Sequence, residues 1–264
     1  MANKPDAPGG IAPASPFAWK QPWAWADAAK SRSDASAFSP SRTAEKRYAR
    51  QLKSVAGQIR HILATSSPAD AERLLREYDK VLEPWARQTA ATMMAGVQRK
   101  NAQAWRAVAG RMGRDMRALM GAPGVGAAVQ AAIADNVSLI RSLVVGAADD
   151  VAELIRESLV TGTRAEDLAA RIAEVGEVSE NRARTIARTE VSKAGTALTR
   201  ARAESIGSEG YIWRTAGDAD TRDSHRAMEG VFVRWDSPPT LDGMTGHAGD
   251  FPNCRCYPEP VLRS

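Results

Sequence analysis

Three observations predict an α+β protein, with an extended, mostly helical N-terminal two-thirds and a small C-terminal α+β module containing a short antiparallel sheet. From Ser41 to about Gly207 apolar residues recur at spacings of three and four, the period of helices that each bury one side. After Gly207 the period falls to two in Tyr211-Ile212-Trp213-Arg214-Thr215, as on a strand. Two of the three histidines and both cysteines lie in the last quarter of the chain, so the most reactive side chains share the segment where the period changes.

The 264 residues suit one large or two modest domains with a real core. Residues 1–40 read as a flexible arm, 41–125 as a helical docking region, and 126–264 as a module with helices over 127–207 and a small sheet with loops over 208–264. The arm is rich in Ala, Pro, Ser and Gly and has no period. It nevertheless carries Trp19, Trp23 and Trp25. Aromatic anchors in such a segment fit a partner's groove; the other reading folds them back onto this chain's own helices.

The first helix begins near Ser41, with Tyr48, Leu52, Val55, Ile59, Ile62 and Leu63 on one stripe. Arg42, Lys46, Arg47, Arg50, Lys53 and Arg60 crowd the same segment and only Glu45 opposes them, within a chain of net charge +5 and pI near 9.4. Such a face suits phosphates or an acidic protein surface, with affinity falling as salt rises, and suits plain solvation equally well. Ser67-Pro68-Ala69-Asp70 is an N-cap, a first-position proline and an acidic first turn. The helix it opens is expected to bury Leu74, Leu75, Tyr78, Val81 and Leu82, and to break or kink at Pro84. Gly121-Ala122-Pro123-Gly124 marks a firmer turn.

Ala127 to Val160 reads as a helix of about 50 Å with Leu159 on its apolar side, closed by Gly162 in a left-handed cap. Thr163-Arg164-Ala165-Glu166 is a capping box that starts a short helix, and Ser179 opens another. Further on, Val231 to Trp235 and Arg255 to Val261 are strand candidates. Pro258 and Pro260 confine the latter to an edge, and a Pro/Gly-rich loop spans 236–252. No run of about 18 apolar residues is present, so no membrane span is expected, nor is a secretory signal. A Cys-x-Cys pair does not bridge easily, which makes a reducing cytoplasm the default.

His225, His247, Cys254 and Cys256 are the soft or borderline ligands of this region, a set that zinc takes tetrahedrally. The other reading has His225 hydrogen-bonded in a turn and the cysteines packed as small hydrophobes. Arg188, Glu190, Asp218, Asp220, Arg222 and Arg255 alternate in sign and suit a bidentate network that fixes shape. An enzyme would use Glu190 or Asp218 as base with His225 as acid. No nucleophile elbow, phosphate loop or metalloprotease helix accompanies them, which favours a non-enzyme.

The order of Ala187-Arg188-Thr189-Glu190, the aromatic strand, the Asp-rich turn with His225 and the final Asn253-Cys254-Arg255-Cys256 resembles the phage Mu F-like minor head proteins, over roughly Asn136 to Leu262. The resemblance implies a head-morphogenesis role without established catalysis. It also implies a minor component of the virion, placed with the portal inside the procapsid, with portal, major capsid or scaffold protein as partners and a link to DNA packaging or delivery. Relatives of this kind carry a Cys-x-x-Cys where this chain has Arg222 and His225, and a His near Phe251; structural zinc is the cofactor so implied. The alternative is a zinc-stabilised nucleic-acid-binding module outside any capsid. A toxin-like enzyme is disfavoured because the chain stops at Ser264, just after the module.

Overall fold

A computed structural model describes residues 36–112 and 122–262. Trp19, Trp23 and Trp25 lie outside the described residues. Helix α1 (Arg42–Thr65) starts at Ser41, whose Oγ accepts the Ala44 N–H at 3.3 Å. Helix α2 (Pro68–Met112) starts in the same way, Ser67 Oγ accepting the Asp70 N–H at 3.3 Å. It runs through Pro84 without ending. The proline removes one backbone bond, the one to Lys80, and packing of α2 between α1 and α3 outweighs that loss. Helix α3 (Pro123–Thr161) closes at Gly162, whose φ of 69° suits glycine and lets its N–H reach the Ser158 carbonyl.

Helix α4 (Ala165–Ser205) is one element where the sequence suggested two. Ser179 does not cap a new start; its Oγ donates back to the Val175 carbonyl at 2.9 Å, as an interior serine can. The capping box does not form either. Thr163 Oγ1 pairs with Thr161 Oγ1 at 2.7 Å, and Arg164 takes the cap position without a side-chain bond.

The four helices alternate in direction as a bundle, and ion pairs mark the register. Glu45 meets Arg188 and Arg60 meets Glu180 between α1 and α4. Asp79 meets Arg141 and Arg76 meets Asp149 between α2 and α3. Glu157 meets Arg171 between α3 and α4. Leu52, Ile59, Leu75, Met94, Ile140, Leu143, Val191 and Leu198 fill the interior, so the core draws on chain from both sides of residue 125.

Two apolar residues expected inside are outside. Val81 is 71% exposed and Leu159 80% exposed. Val81 sits roughly 130° round α2 from the buried stripe of Leu75, Leu82 and Ala86, which only tertiary contacts select. Leu159 belongs to the α3–α4 hairpin tip, where residues 156–171 include none that is buried. One more expectation changes: Gly124–Thr161 is long and apolar enough to cross a bilayer by length and composition. Asp135 and Arg141 interrupt any wholly apolar run yet leave the average high. In the bundle Ile140, Val144 and Val151 of this helix pack into the core.

Beyond α4 comes a three-stranded antiparallel sheet. Strand β1 (Gly210–Arg214) lies between β2 (Phe232–Arg234) and β5 (Tyr257–Pro260). Tyr211 is opposite Val233, and Trp213 opposite Pro258, so the prolines of β5 occupy an edge as their missing N–H requires. The loop over 236–252 contains a small hairpin, β3 (Thr240–Leu241) with β4 (Met244–Thr245). A second apolar cluster, with Tyr211, Trp213, Trp235 and Phe251, packs against Trp105 of α2 and Ala203 of α4. That contact seats the sheet on one end of the bundle.

Candidate metal centre and its cleft

Three consecutive residues of α4 reach three different parts of the molecule. Arg188 Nε approaches Glu45 of α1 at 3.5 Å. Thr189 Oγ1 accepts the backbone N–H of Asn253 at 2.9 Å. Glu190 turns into the bundle, where its Oε2 accepts from Asn136 Nδ2 at 3.4 Å and Lys193 approaches the other oxygen. Asn136 Oδ1 in turn accepts the Tyr48 hydroxyl proton at 2.8 Å. Burial raises the Glu190 carboxyl above its ordinary range.

Two turns along from Thr189, Thr196 Oγ1 donates to the Ala248 carbonyl at 2.6 Å. Gly249, at φ 98°, lies so close that an added Cβ would sit 2.6 Å from Thr196 Oγ1 and 2.9 Å from Ser192 Oγ. Thr189, Ser192 and Thr196 thus form a docking strip for the loop that carries the cysteines. Asn253, at φ 58°, bends that loop so that Cys254 and Cys256 face inward. Both sulfurs lie on the side that faces His225.

The opposite wall is the short helix α5 (Asp223–Arg226), which presents His225. Its Nδ1 lies 3.4 Å from Cys254 Sγ and 3.5 Å from Cys256 Sγ. The ring is packed edge-on against Phe251 and Trp213 at centroid distances of 4.8 and 5.6 Å. Its Nε2 is buried and has no hydrogen-bond partner among the described residues. Hydrogen bonding from Cys256 leads the effects that pull the Cys254 thiol down to about 6, and the Cys256 thiol is pushed up in return. The Cys256 N–H also donates to Cys254 Sγ at 3.3 Å. Both cysteines are free.

A cleft of about 290 Å³ opens beside these groups, lined also by Arg188, Asp218, Asp220, Arg222, Asn253 and Arg255. Arg255 bridges both acids, at 2.8 Å to Asp218 and 2.8 Å to Asp220. Arg222 donates to the Pro252 carbonyl at 3.0 Å. The six charged residues singled out in the sequence therefore do not form one network. Asp218, Asp220, Arg222 and Arg255 brace the turn against the last segment, Arg188 borders the cleft while paired to α1, and Glu190 serves the bundle.

His247 also stands apart from the thiols. Its Nε2 accepts from Arg200 at 3.2 Å and its Nδ1 faces the Tyr211 hydroxyl at 3.2 Å. Arginine can only donate, which places the ring proton on Nδ1. The four soft ligands of the sequence thus reduce to three in one place: His225, Cys254 and Cys256, with ligand atoms all within 4.8 Å.

Desolvation, reinforced by the Arg200 charge, lowers the His247 pKa to about 4. Between the ordinary histidine value and that figure an unfolded chain binds a proton that the native chain refuses. Stability therefore falls as pH falls through this window, by up to about 3 kcal/mol. The raised carboxyls of Glu190 and Asp250 work in the opposite sense at its lower edge. Urea midpoints measured from pH 7 to 4.5 are expected to drop less in His247→Gln than in the unsubstituted protein.

The docking strip was legible only as polar residues at helical spacing on an otherwise apolar side of α4, and Phe251 and Gly249 carried no separate signal. Residues 149–258 match the family model described as phage Mu protein F like protein. An uncharacterized protein of Haemophilus influenzae is 38% identical over 144 residues, 54% of this chain and 32% of its own length; the chain thus spans about a third of that relative. No solved structure matches. From the last part of α3 to β5, this chain is similar to the family described as phage Mu protein F like protein.

Proposed function

We propose that the chain is a structural head-morphogenesis protein of a tailed phage, docking on the portal inside the capsid or procapsid and assisting assembly, DNA packaging or delivery. The observation that carries this reading is the family match over 149–258, which takes in the docking strip, the cleft and the Asn253-Cys254-Arg255-Cys256 segment. The bracing of the cleft supports it: Asp218 and Asp220 there are held by Arg255, an arrangement that keeps shape. The protein is thus read as non-enzymatic and located in the virion, reaching it from the host cytoplasm.

Residues 41–125 are the docking region of this proposal, with the aromatic arm as its anchor and major capsid or scaffold protein as further partners. Arg42, Lys46, Arg47 and Arg50 are exposed on α1, whereas Lys53 and Arg60 are paired with Glu180. The exposed four suit non-specific contact with packaged DNA. The same basic face, taken with the thiol–imidazole group, is what favours the second reading, a zinc-stabilised nucleic-acid-binding module acting apart from a capsid. No membrane enters either reading.

A pull-down with the cognate portal tests the docking. Changing Trp19, Trp23 and Trp25 together to alanine is expected to weaken capture at least tenfold, as loss of clustered aromatic anchors does. Unchanged capture removes the arm from the interface.

A further inference from the structure

We propose that His225 Nδ1, Cys254 Sγ and Cys256 Sγ bind one thiophilic divalent ion of the zinc class, with a fourth coordination position open to the cleft beside Asp218 and Arg222. The inference stands on local geometry and does not depend on where in a phage the protein resides. Zinc bonds of about 2.05 Å to nitrogen and 2.3 Å to sulfur at tetrahedral angles put those ligand atoms about 3.6 Å apart. The observed N···S separations are 3.4 and 3.5 Å, two edges of such a tetrahedron already in place.

Without an ion the arrangement is poorly satisfied. One imidazole nitrogen faces two sulfurs and can donate to only one of them, while the other nitrogen has no partner among the described residues. Buried polar groups left in this way call for an explanation, and an ion is one. An ion on Nδ1 attracts both sulfurs at once. Two thiolates and a neutral imidazole around a doubly charged ion sum to zero, which suits residues at most 5% exposed. The Cys256 N–H directed at Cys254 Sγ favours a thiolate there.

The donor set selects the metal class. Two sulfurs and one imidazole favour zinc over calcium or magnesium, which take oxygen ligands. His247 is engaged by Arg200 and Tyr211, and Arg255 holds Asp218 and Asp220. Among the described residues no fourth His, Cys or carboxylate ligand joins the group. The cleft borders all three ligands, so the fourth ligand comes from solvent and exchanges. That differs from a closed structural site with four protein ligands.

The test uses the full chain purified under reducing conditions. Elemental analysis is expected to find one zinc per chain. Cobalt(II) exchanged into the site is expected to give thiolate-to-metal charge-transfer absorption and intense visible bands of four-coordinate cobalt. Cys254→Ser and Cys256→Ser should each halve the charge-transfer intensity, while His247→Ala keeps it. Added azide should shift the visible bands, because it enters the open position. The serine variants can fail to fold, so the unsubstituted protein supplies a second reading. Its two thiols should resist alkylation until a chelator is added, then react together. Absence of zinc and of charge-transfer absorption, thiols that alkylate equally fast with and without chelator, or equal loss in His247→Ala would each overturn the site. Visible bands indifferent to azide would overturn the open position.

Discussion

Asn136→Ala is expected to destabilise the helical bundle by about 3–4 kcal/mol, seen as a lower urea midpoint in far-ultraviolet circular dichroism. Asn136 is wholly buried on α3 and joins three helices. It accepts from Tyr48 of α1, donates to Glu190 of α4 and also returns a bond to the Ala132 carbonyl. Truncation leaves a hydroxyl and a carboxylate with unmet demand in a dry interior, each costing about 1–3 kcal/mol, and adds a small cavity. Tyr48→Phe removes only the hydroxyl and one of the Asn136 bonds, so about 1 kcal/mol is expected. If the alanine variant lost no more than the phenylalanine variant, the layer would be peripheral to stability.

Gly249→Ala is expected to release the loop over 247–254 from α4 at a cost of roughly 3 kcal/mol or more. A left-handed backbone costs a residue with a Cβ about 1–3 kcal/mol, and the methyl group would also meet Thr196 Oγ1, Ser192 Oγ and the Cys256 carbonyl at 2.6, 2.9 and 3.1 Å. Neither the glycine nor its neighbours can relieve this by rotating one long side chain, because the contacts are short hydroxyls on a helix and a backbone oxygen. The loss should be local: helix content kept, tryptophan fluorescence altered through Trp213 and Trp235, and Cys254 and Cys256 opened to alkylation. Retained thiol protection in this variant would show that the strip on α4 does not hold the cysteine loop.

Much of the architecture could be read from the amino acids because local chemistry and tertiary packing agree there. Ser41 and Ser67 cap helices in the structure as their side chains suggest, and Gly162 ends α3 in the left-handed region. The strand of Tyr211 and Trp213 and the edge position of Pro258 followed from period and from a missing donor. Failures fall where one side chain has two equally good local uses. Ser179 can cap a helix or bond back within one, and Thr163 found Thr161 before it found a cap. Val81 lay on a plausible apolar stripe, but which side of α2 faces α1 and α3 is a long-range fact.

The candidate site was legible in its parts but not in their grouping. Counting soft ligands put His247 with the cysteines, and only the course of the 236–252 loop shows it spent on Arg200 and Tyr211. Alternating charges suggested one network, yet Glu190 and Arg188 diverge because helix positions two apart point about 160° apart. Thr189 carried no chemistry of its own. It matters because its hydroxyl receives the Asn253 N–H at the bend before the first cysteine.

Mass spectrometry of DNA-filled heads, purified from cells in which this chain is expressed with its neighbouring head genes, bears most directly on the proposed role. The proposal expects the chain in those heads, in copy numbers far below the major capsid protein, with heads lacking it assembled or filled less well. Intact, DNA-filled heads that contain portal and capsid protein but none of this chain would contradict it.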